Sequence, residues 1–374
     1  MLWNKNFTLL ALSNFLLHLA VYMLFPLFYF WLKQQWGCAP LQAAGIALLP
    51  GFSLFLPGAF NNYLTDTFCR KQVGMRSIFL LGILAFVFPY LTQLWMVALV
   101  RIFQGVLLGI ALMATGSTLA IDVTPRNRRD AANRVFTWSG VLGLLVGSAV
   151  GLQGYAYFPL EYLWYFSAGG CLLAGLLISV VEVCFRAPLN VPLLSFDRFI
   201  LFRTLLPGIN MLCVPFVLGM LFVENPNIFF YLCIMGGFIG YLFIRELFTA
   251  PMNGRIQILL GQLLTVAGVL VLMNVPDSMG ECGSGMMVGL GMGFSLGQFL
   301  RMMILLPLHC ERGTGYHTYQ LLWQIGMMCG ILASVYLRQI HGMSSCMPAL
   351  AVCILGFLFY QVYIHGYFSR NLPA

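Results

Sequence analysis

An all-α polytopic membrane protein is the fold class this sequence predicts, and three observations carry that reading. Of 374 residues, 60% are hydrophobic and only 8% charged, against about 25% charged in ordinary globular domains. A soluble fold could not cover its surface with so few ions, so lipid is the solvent for most of the chain. Apolar runs of about 20 residues recur along the whole length, each long enough to cross ~30 Å of hydrocarbon as a helix. The basic residues, finally, gather on alternate connections between those runs.

The spans fall near residues 7–32, 42–64, 77–93, 94–121, 135–155, 163–185, 204–223, 228–248, 256–274, 284–308, 318–338 and 347–368. The first run is too long for a signal h-region and lacks a small-residue cleavage site, so it reads as a retained span. Only TQLW (92–95) separates the third run from the fourth. Residues 77–121 therefore read as two spans, giving twelve, or as one, giving eleven.

Orientation follows from charge. With the N-terminus inside, inner segments hold fifteen of the 19 Lys and Arg residues, among them Lys5, Arg76, Arg126, Arg128, Arg129, Arg134, Arg186, Arg198 and Arg203. Outer segments hold Lys33 and Arg338, while Arg101 and Arg301 lie within spans. Both termini are thus expected in the cytoplasm, with the chain in a plasma membrane, a bacterial inner membrane. The net charge of +8 is accounted for by anionic lipid headgroups against the inner loops. No basic face is interleaved with exposed aromatics, so no nucleic-acid partner is expected. The partners are a small-molecule substrate and membrane lipid, and the chain is expected to be a monomer.

The 11 cysteines follow no disulfide or zinc spacing, so no metal is expected, and no cofactor motif is present. Cys38, Cys282 and Cys346 fall in or beside outer loops, as inert thiols or with a bridge between two of them. The longest hydrophilic connection, RAPLNVPLLSFDRFILFRT (186–204), divides the chain. Residues 1–185 form an N-terminal six-helix bundle, 186–203 a central cytoplasmic loop lying along the interface, and 204–374 a C-terminal six-helix bundle. NYLTD (62–66) and GYLFI (240–244) echo each other at equivalent places in the halves, as an internal repeat would.

Two motifs carry the functional reading. NNYLTDTFCRKQ (61–72) ends the second span with Asp66 and sets Arg70 and Lys71 four and five residues on. ALVRIFQGVLLG (97–108) places Arg101 inside a stretch with no acidic residue from about 94 to 121. Arg at a helix centre costs about 2.5–3.5 kcal/mol on insertion, against gains of about 0.3–0.6 for each Leu, Ile, Phe or Val. The apolar neighbours offset that cost, but the charge must still find a wet cavity or polar partners. Gln104, one turn on, shares its face. Intramembrane charges are functional by default; the plainer role is a structural tie between helices.

The first motif resembles the loop between the second and third helices of the major facilitator superfamily of secondary transporters. Asp66, Arg70 and Lys71 match that pattern, whereas Asn62, Thr67 and Cys69 stand where the family has a glycine, a basic residue and a glycine. Arg101, Gln104 and Gly105 match the R-x-x-Q-G of the fourth helix. TPRNRRDAANR (124–134) looks like the family's basic loop at that place. The resemblance implies two pseudo-symmetric six-helix bundles around a central cavity, with Asp66, Arg70 and Lys71 as a cytoplasmic gate. One exporter pattern of the fifth helix has a proline where Ser148 stands here.

In that superfamily the first, fourth, seventh and tenth helices line the cavity. Asn14, His18 and Tyr22 form a stripe on the first span, Arg101 and Gln104 on the fourth, Gln298 and Arg301 on the tenth. The seventh offers Asn210 between Pro207 and Pro215, the eleventh Gln320, Trp323 and Gln324, and the fifth Trp138. For each Asn or Gln, an interhelical hydrogen bond competes with substrate contact. Gly143, Gly147 and Gly151 on the fifth span, and Gly285, Gly289, Gly293 and Gly297 on the tenth, put close-packing faces on those helices; Gly105 belongs with them.

All 11 acidic residues lie at span ends or in loops. If protons or another ion are coupled, His18 is the expected proton carrier, since its reference pKa of about 6.5 lies near neutrality. An interior with Arg101, Arg301 and no acids suits neutral or anionic solutes. The expected function is secondary active transport by alternating access, as efflux of an amphipathic, neutral or anionic compound. The Met-rich second half (Met286, Met287, Met292, Met327, Met328) favours efflux, against the plainer reading of Met as helix filler. The alternatives are proton-coupled uptake or exchange of a sugar or organic anion, and a non-transporting receptor or structural protein. The chain has no HExxH, no G-x-S-x-G, no paired mid-span carboxylates and no P-loop, so no catalytic residue is assigned and no enzyme is expected.

Overall fold

The computed structural model describes residues 3–183, 191–196, 198–247, 253–275, 277–308 and 311–372. Arg186 and the other residues of 184–190, Asp197 and Phe248 lie outside the described residues. Among the described residues, twelve helices are long and apolar enough to cross a membrane: α1 (Lys5–Trp36), α2 (Pro40–Thr67), α3 (Arg70–Tyr90), α4 (Leu94–Asp122), α5 (Arg126–Tyr157), α6 (Leu160–Val180), α7 (Phe202–Glu224), α8 (Ile228–Arg245), α9 (Gly254–Asn274), α10 (Ser278–Leu305), α11 (Arg312–Arg338) and α12 (Cys346–Asn371). There is no strand among the described residues.

Local chemistry sets the boundaries. Asn4 caps α1 by accepting from the Phe7 amide at 2.7 Å, and Gly37 ends it in the left-handed conformation at φ 59°. Pro40 then opens α2, where its missing N–H costs nothing. Asp277 caps α10 through the Gly280 amide at 2.6 Å. The narrow TQLW separator does break the chain: a tight turn at Phe88–Tyr90 around Pro89 leads into extended Gln93 at φ −134°, ψ 140°. Residues 77–121 are therefore two spans.

Several helices extend beyond the apolar runs. The third begins at Arg70 rather than near 77, because extended Phe68 and Cys69 end α2 and start a new helix at once. The tenth starts at Ser278 rather than near 284, where Asp277 supplies the cap. The sixth stops at Val180, short of 185. Hydropathy marks where lipid can be, whereas caps and breaks mark where hydrogen bonding stops. Pro207 and Pro215 both lie inside the continuous helix α7.

The chain forms two compact units, Met1–Leu201 with Gly313–Leu321, and Phe202–Arg312 with Leu322–Ala374. In the first unit α1 packs on α5 and α6, α2 on α4, and α3 on α4 and α6. In the second, α10 packs on α8 and α9, and α12 on α7 and α9. The glycine faces explain the closest of these approaches. A Cβ on Gly147 would lie 2.8 Å from Leu19 Cα, and one on Gly151 2.9 Å from Met23 C, so the α1 backbone occupies that space. Gly143 meets Phe15 and His18 of α1 in the same way, and Gly105 meets Pro50 and Ser53 of α2. In the second unit Gly285 and Gly289 meet the α8 backbone at Phe230 and Ile234, while Gly293 and Gly297 meet the Tyr241 side chain.

Cys38, Cys282 and Cys346 are all free thiols. Burial raises the pKa of the Cys38 thiol.

Candidate functional site

The charged end of the first unit is a network of two acids and two arginines. Asp66 ends the helical part of α2 and is buried, and its carboxylate oxygens meet Arg70 Nη2 at 3.3 Å and Arg198 Nη2 at 3.0 Å. Arg70 is the first residue of α3, placed there by the two-residue break, and it also reaches Asp122 at the end of α4 with contacts of 3.0 and 3.2 Å. Its Nε donates to the Thr65 carbonyl at 3.2 Å. Burial lowers the Arg198 pKa, and neighbouring Asp66 draws it back up. Lys71 is half-buried and makes no ion pair with a described residue. At the same end of the unit, where α1 begins and α6 has ended, Lys5 pairs with Glu182 at 3.6 Å, both side chains exposed.

Asp122 and Arg198 were missed by reading the sequence. Asp122 closes the apolar run of the fourth span, and that position was the available signal. Arg198 looks like any other inner-loop cation until its partner is known.

Beside this network the first turns of α11 meet α2, α4 and α5. Asn61 Nδ2 lies 3.2 Å from His317 Nε2, and Tyr316 OH 3.1 Å from Thr137 Oγ1. Gly116 lies in a π-helical stretch of α4, Met113–Leu119, whose residues are all buried. The missing side chain leaves room for Gln320 and Tyr316. In that stretch Thr115, Ser117 and Thr118 turn their hydroxyls back to carbonyls four residues earlier, at 2.7, 2.5 and 2.6 Å, so none is left unbonded in an apolar place. Gln320 is buried, with Nε2 3.5 Å from Tyr316 OH.

The intramembrane guanidinium of Arg101 is buried in the first unit. It donates to Gln104 Oε1 at 2.9 Å and to the Ala47 carbonyl of α2. Its Cζ sits 4.2 Å from the centroid of the Phe28 ring of α1, a cation–π arrangement strengthened by desolvation. Nε is buried and unpartnered. No carboxylate of a described residue lies within ion-pair distance. Arg101 thus touches three helices, and the tie between helices is built.

The other polar residues of the stripes are placed as follows. Asn14 donates to the Phe136 carbonyl at 2.8 Å and lies 3.0 Å from Ser139 Oγ. His18 Nδ1 lies 2.9 Å from the Asn14 carbonyl, and its ring stacks parallel to Tyr22 at 6.3 Å. Asn210 Nδ2 donates to the Gly356 carbonyl of α12 at 2.8 Å. Gln298 Nε2 donates to Gln257 Oε1 of α9. Trp323 and Gln324 are buried, Trp138 is half-buried, and Arg301 is exposed. Asn14, His18 and Tyr22 come together along α1 against α5, while Arg101 and Gln104 gather around α2 and Phe28. The methionine argument weakens: Met292, Met327 and Met328 are each no more than 1% exposed, so they fill helix contacts.

The Major Facilitator Superfamily sequence model matches residues 10–330. No curated protein matches the chain by sequence. Among solved structures, the chain is similar to the human organic anion transporter MFSD10 (TETRAN), with a TM-score of 0.67 and 15% identity over 95% of this chain and 98% of that one. At that identity the likeness is one of fold.

Proposed function

The chain belongs to the major facilitator superfamily and is a twelve-span secondary transporter rather than an enzyme, and we propose that its cargo is an amphipathic solute, neutral or anionic. The observation that supports this cargo is Arg101, a guanidinium buried among apolar helices without a carboxylate partner among the described residues. A fixed positive charge in low dielectric repels cations and attracts anions over several ångströms. Export is the proposed direction, since an amphipathic compound enters the bilayer without help but needs a carrier to leave against a gradient. The membrane is proposed to be a bacterial inner membrane, with both termini in the cytoplasm, on the charge asymmetry of the connections.

Proton-coupled uptake of a sugar would use the polar stripe residues for hydroxyl recognition. Asn14, Asn210 and Gln298 already spend their amide donors on neighbouring helices, which argues for the first reading. Reconstituted protein in liposomes, offered fluorescein as the anion and ethidium as the cation, tests it. Fluorescein flux above that of protein-free liposomes, with none for ethidium, is expected; ethidium flux without fluorescein flux overturns the cargo assignment.

A further inference from the structure

Just before α7, Ser195, Arg198, Phe199 and Leu201 each contact other parts of the first unit. The Ser195 amide donates to the Ala59 carbonyl at 2.9 Å. The Phe199 ring packs edge-on against Phe55, centroids 6.2 Å apart. It also covers Gly58 so closely that a Cβ there would run into the ring. Asn61 Nδ2 donates to the Arg198 carbonyl at 3.3 Å, and the Leu201 amide donates to Thr318 Oγ1 of α11 at 3.0 Å. Asn61 also contacts His317, so one amide bridges the segment and α11.

Arg198 is the charged fastening. Its Nη2 meets Asp66 at 3.0 Å, and its Nη1 lies 3.4 Å from Thr65 Oγ1. The two ends of this ion pair differ. The Asp66 side chain is 5% exposed, while that of Arg198 is 35% exposed. Asp66 also holds Arg70, and Arg70 holds Asp122. When Arg198 leaves, the buried carboxylate keeps a guanidinium, and the departing cation already faces water on one side. Leaving a buried charge alone is the outcome that costs most, and this arrangement avoids it. The pair is therefore built to open without stranding an ion.

We propose that residues 195–196 and 198–201 form a strap fastened across α2 and the first turns of α11, with Arg198 as its clasp and separation of Arg198 from Asp66 as its opening step. Arg198 is a positioning residue that acts through Asp66. The strap runs directly into α7, so on the transporter reading its opening is a step of the transport cycle. The strap itself does not depend on that reading.

The test is hydrogen exchange on the full-length protein in nanodiscs. In the wild type, amides of peptides covering 191–201 exchange at least tenfold slower than free-chain amides. Arg198→Ala removes that protection and loosens peptides covering 55–66 and 313–321, with the α8–α10 peptides unchanged. Arg198→Lys, which keeps the charge, retains most of the protection. Gly58→Ala, which displaces Phe199 and leaves every charge in place, gives the same opening as Arg198→Ala. Unchanged protection of 191–201 in Arg198→Ala overturns the clasp, and an unprotected segment in the wild type overturns the strap. A protein that moves neither fluorescein nor ethidium counts against the proposed cargo, while the exchange result still decides the strap.

Discussion

The guanidinium carbon of Arg101 lies 4.2 Å from the centre of the Phe28 ring, so the charge buried in the first third of α4 faces an aromatic surface of α1 instead of an acid. Arg101→Met replaces the ion by an apolar side chain of similar length. Such exchanges of buried ions are often neutral or stabilising, so the variant should fold with an unchanged or higher thermal midpoint. Its fluorescein flux should fall at least tenfold. A Met variant that transports like the wild type would reduce Arg101 to a tie between helices.

Asp66 is the shared acid of two arginines. Asp66→Ala leaves Arg70 and Arg198 facing each other, and breaking a buried pair this way costs about 3–5 kcal/mol. Because Arg198 is partly open to solvent, the expected loss is smaller, about 2 kcal/mol. Unfolding in mixed micelles measures it. Asp66→Asn, which keeps the shape and one acceptor, should lose less than Asp66→Ala.

Glycine positions divide by what surrounds them. Gly147→Leu forces a side chain into the α1 backbone at Leu19, and overpacking of this kind costs about 1–3 kcal/mol. Gly169→Ala in α6 meets nothing within 4 Å and should stabilise by up to about 1 kcal/mol through reduced backbone entropy. Thermal midpoints of the two variants should move in opposite directions.

Most of the fold could be read from the sequence, because length and hydropathy together determine which segments can cross a bilayer. The helix ends were harder to place. Arg70 belongs to the first turn of α3, since Phe68 and Cys69 turn the chain within two residues, and no hydropathy average resolves such a turn. The polar stripe on α1 sets Asn14 and His18 against α5, whereas on α10 Gln298 is buried and Arg301 exposed. A stripe does not name the neighbour it faces, and Asn14, Asn210 and Gln298 each reach an adjacent helix of their own unit. The Asp66–Arg198 pair was hidden because it joins a helix end to a distant loop, and periodicity carries no information about such contacts.

Asn210 offers a measure of those interhelical bonds. Asn210→Leu removes the donor to Gly356, and with it a buried Oδ1 that has no partner. Interhelical hydrogen bonds in membranes average about 0.6 kcal/mol, so the net loss should stay below about 1 kcal/mol. A loss of several kcal/mol in micellar unfolding would mean that Asn210 supports more than α12.

The measurement that bears most directly on the proposed carrier mechanism is trans-stimulation. Proteoliposomes are preloaded with unlabelled fluorescein, and entry of radiolabelled fluorescein is followed with no nucleotide present. A carrier that alternates between faces returns loaded faster than empty, so preloading should accelerate entry several-fold and flux should saturate. Entry that rises linearly with concentration and ignores the preload would contradict alternating access.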